Sequence, residues 1–531
     1  MNSQINATTL SQFNHEQNPG QRLFKEVIMK PASRSAIKPL AALLAAGCAV
    51  AVQAQTFSSG STGADGALSP TVNTEVVLPP SGILNYTTVN IPTGVTVTFR
   101  KNTLNTPVVL LVQGDATIVG TININGQPGR AVGSAGDGNQ GDDGQPGDGG
   151  PGGFTGGRGG SSVQPSTGGA GLGPGGGMGG ARCAANSNNG QPGAGAGHNG
   201  PGQNGGSNPC SPSIRTATAG PSYGSSLLLP LIGGSGGGGG AGNLNSEGAG
   251  GGGGGGAVLV AASGTLNVAG SIVANGAAGG AIAGVDVGFV GGSGSGGAIR
   301  LVATTVAGNG TLSAVGANGL FDPRWGALGT GATGRIRIEG NNITRTAASN
   351  PADTKDVPGP IFIPNSPSIR IATVAGQTVP ATPTGNADVT LPTTQTNPVT
   401  VTFESANVPL GNTIRLTVTP ANADATSAVS TAISGTLAAG TASVSVTLPQ
   451  GPSVLQAQTT YTIVAMLGDA LRNFANNERV ERLEVSASLG GAQADVKLVT
   501  VSGKKFDAPP AALALIDTFN AMQVATADRG S

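Results

Sequence analysis

The residues of this 531-residue chain that could support chemistry are a few carboxylates. Asp115, Asp286, Asp322 and Glu339 lie scattered in turns between β-rich segments. Enzymes that cleave polysaccharides use paired Asp or Glu side chains as acid and base, and some also use them to bind calcium. Because none of these four recurs at a fixed position of the repeat described below, the sequence predicts no catalytic residue.

A denser acidic group consists of Asp137, Asp142, Asp143 and Asp148. Carboxylates combined with backbone carbonyls suit calcium, but the spacing does not match the helix-loop-helix calcium loop. It does not match the repeating nonapeptide of calcium-binding β-rolls either. We therefore expect these side chains to solubilise their segment, and the sequence predicts no metal and no other cofactor.

His198 is the only histidine beyond the N-terminal region, and it lies in a glycine-rich segment. We expect a solvated loop side chain there rather than a catalytic base, since no serine or cysteine nucleophile has a histidine at a recognisable spacing. Cys183 and Cys210 lie in the same segment. In an exported chain they are predicted to form one disulfide that closes a loop, and two free thiols are the alternative.

The N-terminal region predicts export. A basic segment beginning at Met29 is followed by an apolar one that ends near Val52, and a small-residue pattern precedes a cleavage site between Ala54 and Gln55. The preceding residues are polar and fit no export signal, so Met29 is predicted to be the true start. The apolar stretch is short for a membrane span. We therefore expect a secreted or cell-surface protein without a transmembrane span.

Charge argues against a nucleic-acid partner. The chain has 26 basic and 26 acidic residues, so its formal net charge is zero. Only 10% of its residues are charged, against roughly 25% in ordinary soluble domains. Nucleic-acid binding proteins instead carry clustered basic surfaces that neutralise phosphates.

The long glycine-rich block must be positioned by the rest of the fold. Every third residue is glycine from Gly138 to Gly159, within a block that extends from Gly126 to Gly256. Chain without side chains cannot build a hydrophobic core. Two interpretations stay open: polyproline-II-like strands paired through backbone amides, with three residues per turn, or disorder.

A repeat flanks this block. Gly256–Ala261 and Gly297–Ala303 are each followed by a second β-rich run and by Ala-Asn-Gly, and a third copy opens at Gly334. Units of about forty residues with insertions always at the same position are typical of a solenoid of stacked parallel strands. Together with Val89–Val97, these motifs resemble uncharacterised secreted glycine-rich proteins of Gram-negative bacteria with a pectin-lyase-like parallel β-helix. The resemblance covers about Thr74 to Glu339 and implies a fold, but it carries over no catalytic residue.

The C-terminal third has a different pattern. Thr and Val alternate in runs such as Val399–Phe403 and Ser443–Leu448, which predicts an immunoglobulin-like β-sandwich. A short helix is predicted for Ala511–Met522 after Pro509-Pro510. The predicted divisions are an N-terminal extension 1–28, a signal peptide 29–54, first β-helix turns 55–126, a glycine-rich insertion 127–256, further turns 257–345, a linker 346–368, the sandwich 369–505 and a tail 506–531.

These features predict an all-β structural or adhesive protein of the cell surface or extracellular matrix. Its expected partners are polysaccharide or further copies of the same chain. Two alternatives stay open, namely a polysaccharide-active lyase or hydrolase, and a filament-forming matrix subunit.

Overall fold

The computed structural model divides into two compact units, Met1–Ala54 and Gln55–Ser531, and all of the described residues belong to the second. The predicted signal peptide and its cleavage site at Ala54 and Gln55 therefore lie outside the described residues. Strands make up 37% of the described residues and helices 4%, in agreement with the predicted all-β class. The described residues are 57–131, 144–161, 167–183, 190–206, 216–242, 247–281, 290–322, 326–361, 367–379, 389–420, 426–451, 453–463, 465–488 and 495–517.

The first part of this unit contains two parallel sheets, which we call sheets A and B. Sheet A consists of β1 Ala67–Leu68, β3 Ile83–Tyr86, β4 Thr88–Ile91, β6 Val108–Val112, β7 Ala116–Ile118, β9 Ala257–Val268, β11 Ala298–Ala307, β15 Arg335–Ile343 and β16 Thr354–Asp356. Sheet B consists of β2 Thr74–Val77, β5 Thr96–Arg100, β8 Thr121–Asn123, β10 Ser271–Val273 and β12 Thr311–Ser313. A small antiparallel pair, β13 Leu320–Asp322 and β14 Gly326–Leu328, follows β12.

Strands of successive repeats pair in parallel and in register. Ala298 of β11 pairs with Ala257 on one side and Arg335 on the other. The long insertion separates β8 from β9, yet β9 still pairs with β6 and β7, and β10 pairs with β8. The insertion therefore leaves the stacking of the strands unbroken.

The residues of β6 are buried on both faces. Val108, Leu110 and Val112 point into the core between the two sheets, where Ile122 of sheet B also lies. Val109 belongs to a second cluster on the opposite face of sheet A. A strand covered on both faces is expected to be apolar throughout rather than alternating, and this explains the sequence of β6.

Glycine-rich segments extend beyond the edges of these sheets, and we call them the glycine strands. They are hydrogen-bonded to one another without forming regular sheet ladders. They comprise residues 126–131, 144–150, 153–161, 167–172, 176–181, 190–197, 201–206, 216–220, 233–242, 247–256, 274–281, 290–297 and 329–334.

The glycine strand at Gly250–Gly255 is surrounded by six others. Its amides donate in rotation to three neighbouring strands, at Arg130 and Gln127, at Gly157 and Phe154, and at Gly292 and Ser295. Its carbonyls accept from three further strands, at Gly147 and Gly150, at Gly234 and Gly237, and at Ala277 and Gly280. Residues three apart in the Gly250–Gly255 strand are hydrogen-bonded to the same neighbouring strand, and three residues is the period of a polyproline II helix.

Close packing explains the glycine run in this strand. A Cβ atom built on any of Gly250–Gly255 would lie 2.0–2.1 Å from a backbone oxygen of a neighbouring strand. Strands at the outside of the layer have open sides, so only some of their residues must be glycine. This difference accounts for Gly-X-Y patterns in some strands and uninterrupted glycine in others.

A loop after β5 attaches the first strands of sheets A and B to the glycine strands. Asn105 accepts a hydrogen bond from the amide of Gly152 at 3.0 Å and donates one to the carbonyl of Gly153 at 2.9 Å. Lys101 Nζ donates to the same carbonyl at 3.1 Å. Burial lowers the pKa of Lys101 to about 8, and nearby Asp148 opposes this shift.

The second part contains two antiparallel sheets around one core. The first has the order β18-β17-β19-β23-β22 and the second, which we call sheet G, has the order β21-β20-β24-β25-β26-β27. The elements are β17 Ser368–Val374, β18 Gln377–Thr378, β19 Val399–Ala406, β20 Thr413–Pro420, β21 Thr426–Ala432, β22 Ser434–Gly435, β23 Gly440–Val446, β24 Ser453–Thr462, α1 Ala465–Ala470, a 3₁₀ turn Arg472–Phe474, β25 Val480–Ser488, β26 Asp495–Thr500, β27 Lys505–Asp507 and a helix α2 at residues 510–517. Phe403, Leu416 and Leu483 lie in the common core.

Two observations bear on the predicted linker and the predicted tail helix. The predicted linker contains β16, which pairs in parallel with β15 and so extends sheet A. The predicted helix at Ala511–Met522 is helical over residues 510–517, and its remainder lies outside the described residues.

The glycine packing predicts a strong position dependence of Gly→Ala substitutions. Gly252→Ala places a Cβ 2.0 Å from the carbonyl oxygen of Ala277, and overpacking of this kind should lower the free energy of unfolding by about 3 kcal/mol. Gly200→Ala is the matched control, because nothing lies within 4 Å of its Cβ position. Its effect should stay within about 0.5 kcal/mol in a denaturant titration. Equal effects of the two substitutions would contradict the packing.

Candidate functional site

The structure separates the four scattered carboxylates. Asp115 is exposed, and its Oδ1 accepts a hydrogen bond from the amide of Thr265 at 2.6 Å. Asp322 lies in strand β13 rather than in a turn. Asp286 lies outside the described residues. Asp115 therefore fixes a turn between neighbouring repeats, which is a structural role.

Glu339 is buried, with 1% of its surface exposed. Arg300 binds both of its oxygens at 3.0 Å, Arg337 donates to Oε1 at 2.6 Å, and the amide of Gly359 donates to Oε2 at 2.8 Å. Burial alone would raise the pKa of this carboxyl, but Arg300, Gly359 and Arg337 hold it below the usual value. A carboxylate stabilised in this way is a poor proton donor at neutral pH, so Glu339 links β11, β15 and the segment after β16.

The dense acidic group lies mostly outside the described residues, which include Asp148 but not Asp137, Asp142 or Asp143. Thr155 donates a hydrogen bond of 3.4 Å to Asp148. Within the described ranges, no cluster of three or more His, Cys, Asp or Glu side chains could hold a metal ion. The solubilising role of this group stays a prediction.

The expectation for His198 is wrong, because the side chain is buried rather than solvated. Its ring stacks on Tyr223 with centroids 4.6 Å apart, and its Nδ1 lies 2.7 Å from the carbonyl oxygen of Gly296. Burial lowers the pKa of His198 to about 4, with a smaller opposing contribution from the Gly296 hydrogen bond and a lowering one from Arg335. The glycine strands supply this burial, whereas the glycine-rich composition alone had suggested that the side chain of His198 is exposed to solvent.

Cys183 is disulfide-bonded. Its predicted partner, Cys210, lies outside the described residues. The pairing of these two cysteines therefore stays a prediction.

A cavity of about 660 Å³ lies between the parallel sheets with their glycine strands and the outer face of sheet G, and we call it the cleft. The segment from Tyr223 to Ile232 and residues of sheet A form one wall, and β24, β25 and β26 form the other. Ser226 joins the two walls, because both its amide and its hydroxyl donate hydrogen bonds to Asp507 Oδ2. The amide nitrogen lies 2.9 Å from that oxygen. A volume of this size is within the range of small-molecule sites, roughly 300–1,000 Å³.

The two walls of the cleft differ in chemistry. Leu228, Leu229, Pro230 and Leu231 contribute an apolar wall. On the opposite wall Gln458, Ser486 and Asp495 occupy paired positions on β24, β25 and β26, and we call these three the polar row. The cleft is therefore amphipathic across its width.

Several polar groups at the cleft lack partners. Within the described part of the chain, the side chains of Gln456, Gln458 and Ser486 make no hydrogen bond. Asp495 Oδ1 and Arg335 Nε are buried and also have no hydrogen-bond partner there. Burial raises the pKa of Asp495, although Lys497 lies 3.5 Å away and opposes the shift. Buried polar groups without partners are uncommon and call for an explanation such as bound water or a ligand.

Charges at the cleft are mostly balanced within the protein. Arg300 is paired with Glu339, and Glu484 binds Lys505 at 2.7 Å. Lys497 donates to Asp507 at 2.8 Å. The arrangement can therefore bind a polar uncharged group by hydrogen bonds.

No helix among the described residues is long and apolar enough to cross a membrane.

Replacing Glu339 should destabilise the protein strongly. Glu339→Gln removes the charge that neutralises two buried guanidinium groups, and breaking a buried pair in this way costs about 3–5 kcal/mol. Glu75→Gln is the control, since Glu75 pairs with Arg100 at the surface, where an ion pair contributes at most about 1 kcal/mol. Chemical denaturation measures both, and a small effect of Glu339→Gln would show that the network is not required.

His198 should make stability depend on pH. Its folded-state pKa of about 4 lies below the ordinary histidine value of 6.5. As the pH falls, the unfolded chain therefore binds the proton first, and the free energy of unfolding decreases from about pH 6.5 toward pH 4. Between pH 6.5 and 5.0 the loss should be roughly 1.5 kcal/mol larger in the wild type than in His198→Gln. Parallel stability curves for the two proteins would contradict this.

Comparison with protein-family models, with curated proteins and with solved structures finds no match to this chain.

Proposed function

We propose that this chain is a secreted or cell-surface structural protein that contacts polysaccharide. In this proposal its parallel sheets form a β-helix, the glycine strands form a rigid layer on that helix, and the antiparallel part is an immunoglobulin-like module. The function is non-enzymatic, and binding is distributed over an extended polar surface.

The glycine strands are the observation that carries this proposal. Two of them, at 233–242 and 247–256, are enclosed by other strands and hydrogen-bonded through successive backbone amides. Such a layer contains little side-chain chemistry, and its rigidity comes from backbone pairing that any change of shape would break. A protein that needs a firm extended surface gains from this construction, whereas an enzyme needs a few positioned reactive groups.

The outermost described glycine strands offer a suitable contact surface. Strands 201–206 and 216–220 pair antiparallel through Gly202 and Gly205. Gln203, Asn204 and Thr218 are exposed on them. Amide and hydroxyl groups on a flat surface suit many weak hydrogen bonds to a polysaccharide, each contributing about 1 kcal/mol.

The environments of Glu339 and Asp115 argue against the alternative that the chain is a polysaccharide-active enzyme. Glu339 is held as a buried anion by two arginines, and Asp115 fixes a turn. Neither has the environment of a general acid, which requires a raised pKa and access to a substrate oxygen.

The test is to incubate the purified protein with a panel of neutral and acidic polysaccharides. Affinity electrophoresis would measure retention, and assays for new reducing or unsaturated ends would measure cleavage. We expect retention without cleavage. Cleavage would overturn the non-enzymatic proposal, and failure to bind any polymer would overturn the polysaccharide partner, with filaments in electron micrographs then favouring self-association.

A further inference from the structure

We propose that the cleft is a binding site for a short segment of a neutral saccharide. This rests on the proposed function, because it assigns one defined subsite to the polysaccharide partner proposed above. The polar row together with Gln456 binds the sugar hydroxyls, and the apolar wall contacts the faces of the sugar rings.

The polar row supplies an alternating set of donors and acceptors. The carboxamide of Gln458 donates and accepts, the hydroxyl of Ser486 does both, and the carboxylate of Asp495 accepts. Register pairing places these three side chains side by side across three strands, and paired positions on adjacent strands lie about 5 Å apart. Hydroxyls along a sugar ring can both donate and accept, so they match this set.

Gln456 extends the polar surface along the strand. It lies two residues before Gln458 in β24, so both side chains point to the same face of sheet G. Their neighbours Leu455 and Ala457 point into the core. Two carboxamides without partners in the described structure therefore face the same cavity.

The apolar wall favours a ligand with two kinds of surface. Leu228 to Leu231 lie across the cavity from the polar row. A pyranose ring presents C–H groups on its faces and hydroxyls at its edges, so it can satisfy both walls at once. A purely apolar ligand would leave the carboxamides of Gln456 and Gln458 without partners, which is unfavourable for buried polar groups.

Charge favours a neutral ligand over an acidic one. Arg300 and Lys497 have carboxylate partners inside the protein. Arg335 donates to the side chain of Asn199 at 2.6 Å and to the carbonyl of Tyr223 at 2.9 Å. On the opposite wall Glu484 is paired with Lys505. Asp495 shares Lys497 with Asp507, so the carboxylate of Asp495 is the charge that would repel an acidic sugar.

The experiment compares three hexasaccharides by isothermal titration with the full exported protein. Cellohexaose and maltohexaose are the neutral probes, and hexagalacturonate is the acidic one. We expect at least one neutral probe to bind, and to bind more tightly than the acidic probe. The double variant Gln456→Leu/Gln458→Leu should weaken this binding at least tenfold, because it removes both carboxamides while conserving volume.

Gln377→Leu is the matched control, since Gln377 is exposed on the other antiparallel sheet. The affinity of this variant for the neutral hexasaccharide should match that of the wild type. Circular dichroism and thermal melting check that the double variant folds, and Gln458→Asn replaces it if it does not. Unchanged affinity of the cleft variant, tighter binding of hexagalacturonate, or no binding of any hexamer would overturn this inference. If the wild-type protein still retained long polysaccharides, the proposed function would stand although this inference failed. If it retained no long polysaccharide, both the proposed function and this inference would be overturned.

Discussion

The backbone hydrogen bonds between glycine strands are the interaction on which the rest of this structure depends. Each glycine of the enclosed strand at Gly250–Gly255 donates to one neighbour and accepts from another. The pattern requires strand axes so close that no Cβ atom fits between them. Side-chain burial, which usually drives folding, contributes little in this layer, so satisfaction of backbone polar groups and dense backbone contact must take its place.

The same layer connects the strands of sheet B to the strands of sheet A. The glycine strands begin where strands of sheet B end and lead back to strands of sheet A, so they continue the stacking of the repeats. They also bury His198, which stacks on Tyr223, and Arg335 contacts the carbonyl groups of both residues. Arg335 in turn lies at the cleft, which brings together residues more than two hundred positions apart in sequence. The geometry of the cleft is thus set by backbone packing on one side and by sheet register on the other.

The sequence predicted the strands better than it predicted the environments of single side chains. The repeat around Gly256–Ala261 and Gly297–Ala303 placed β9 and β11 correctly because apolar runs bounded by glycine are local signals. The short strands β1 and β7 were missed, since two or three residues carry little pattern. The parallel stacking and the antiparallel sheets agree with the predicted class, while the β-helix and the immunoglobulin-like topology stay proposals.

His198 and Glu339 could not be assigned from sequence for a common reason. Arginine is normally found near solvent, and glycine-rich chain has no side chains with which to build a core. Here, however, glycine strands enclose the imidazole, and Arg300 and Arg337 accompany the carboxylate into the interior. Only the weak signal of charged residues within apolar strands, as at Arg300 and Glu339, could have indicated a buried network. The cleft had no sequence signal, because its walls come from separate parts of the chain.

Enclosed and peripheral glycine strands should differ in how they change over evolutionary time. In the enclosed strands every position is constrained by its neighbours' backbones, although glycine itself carries no recognition chemistry. In the peripheral strands the outward positions can accept new side chains without disturbing the lattice beneath. Such a layer separates the residues that maintain shape from those that meet the surroundings, and lineages could therefore acquire new surface specificities while retaining the same interior.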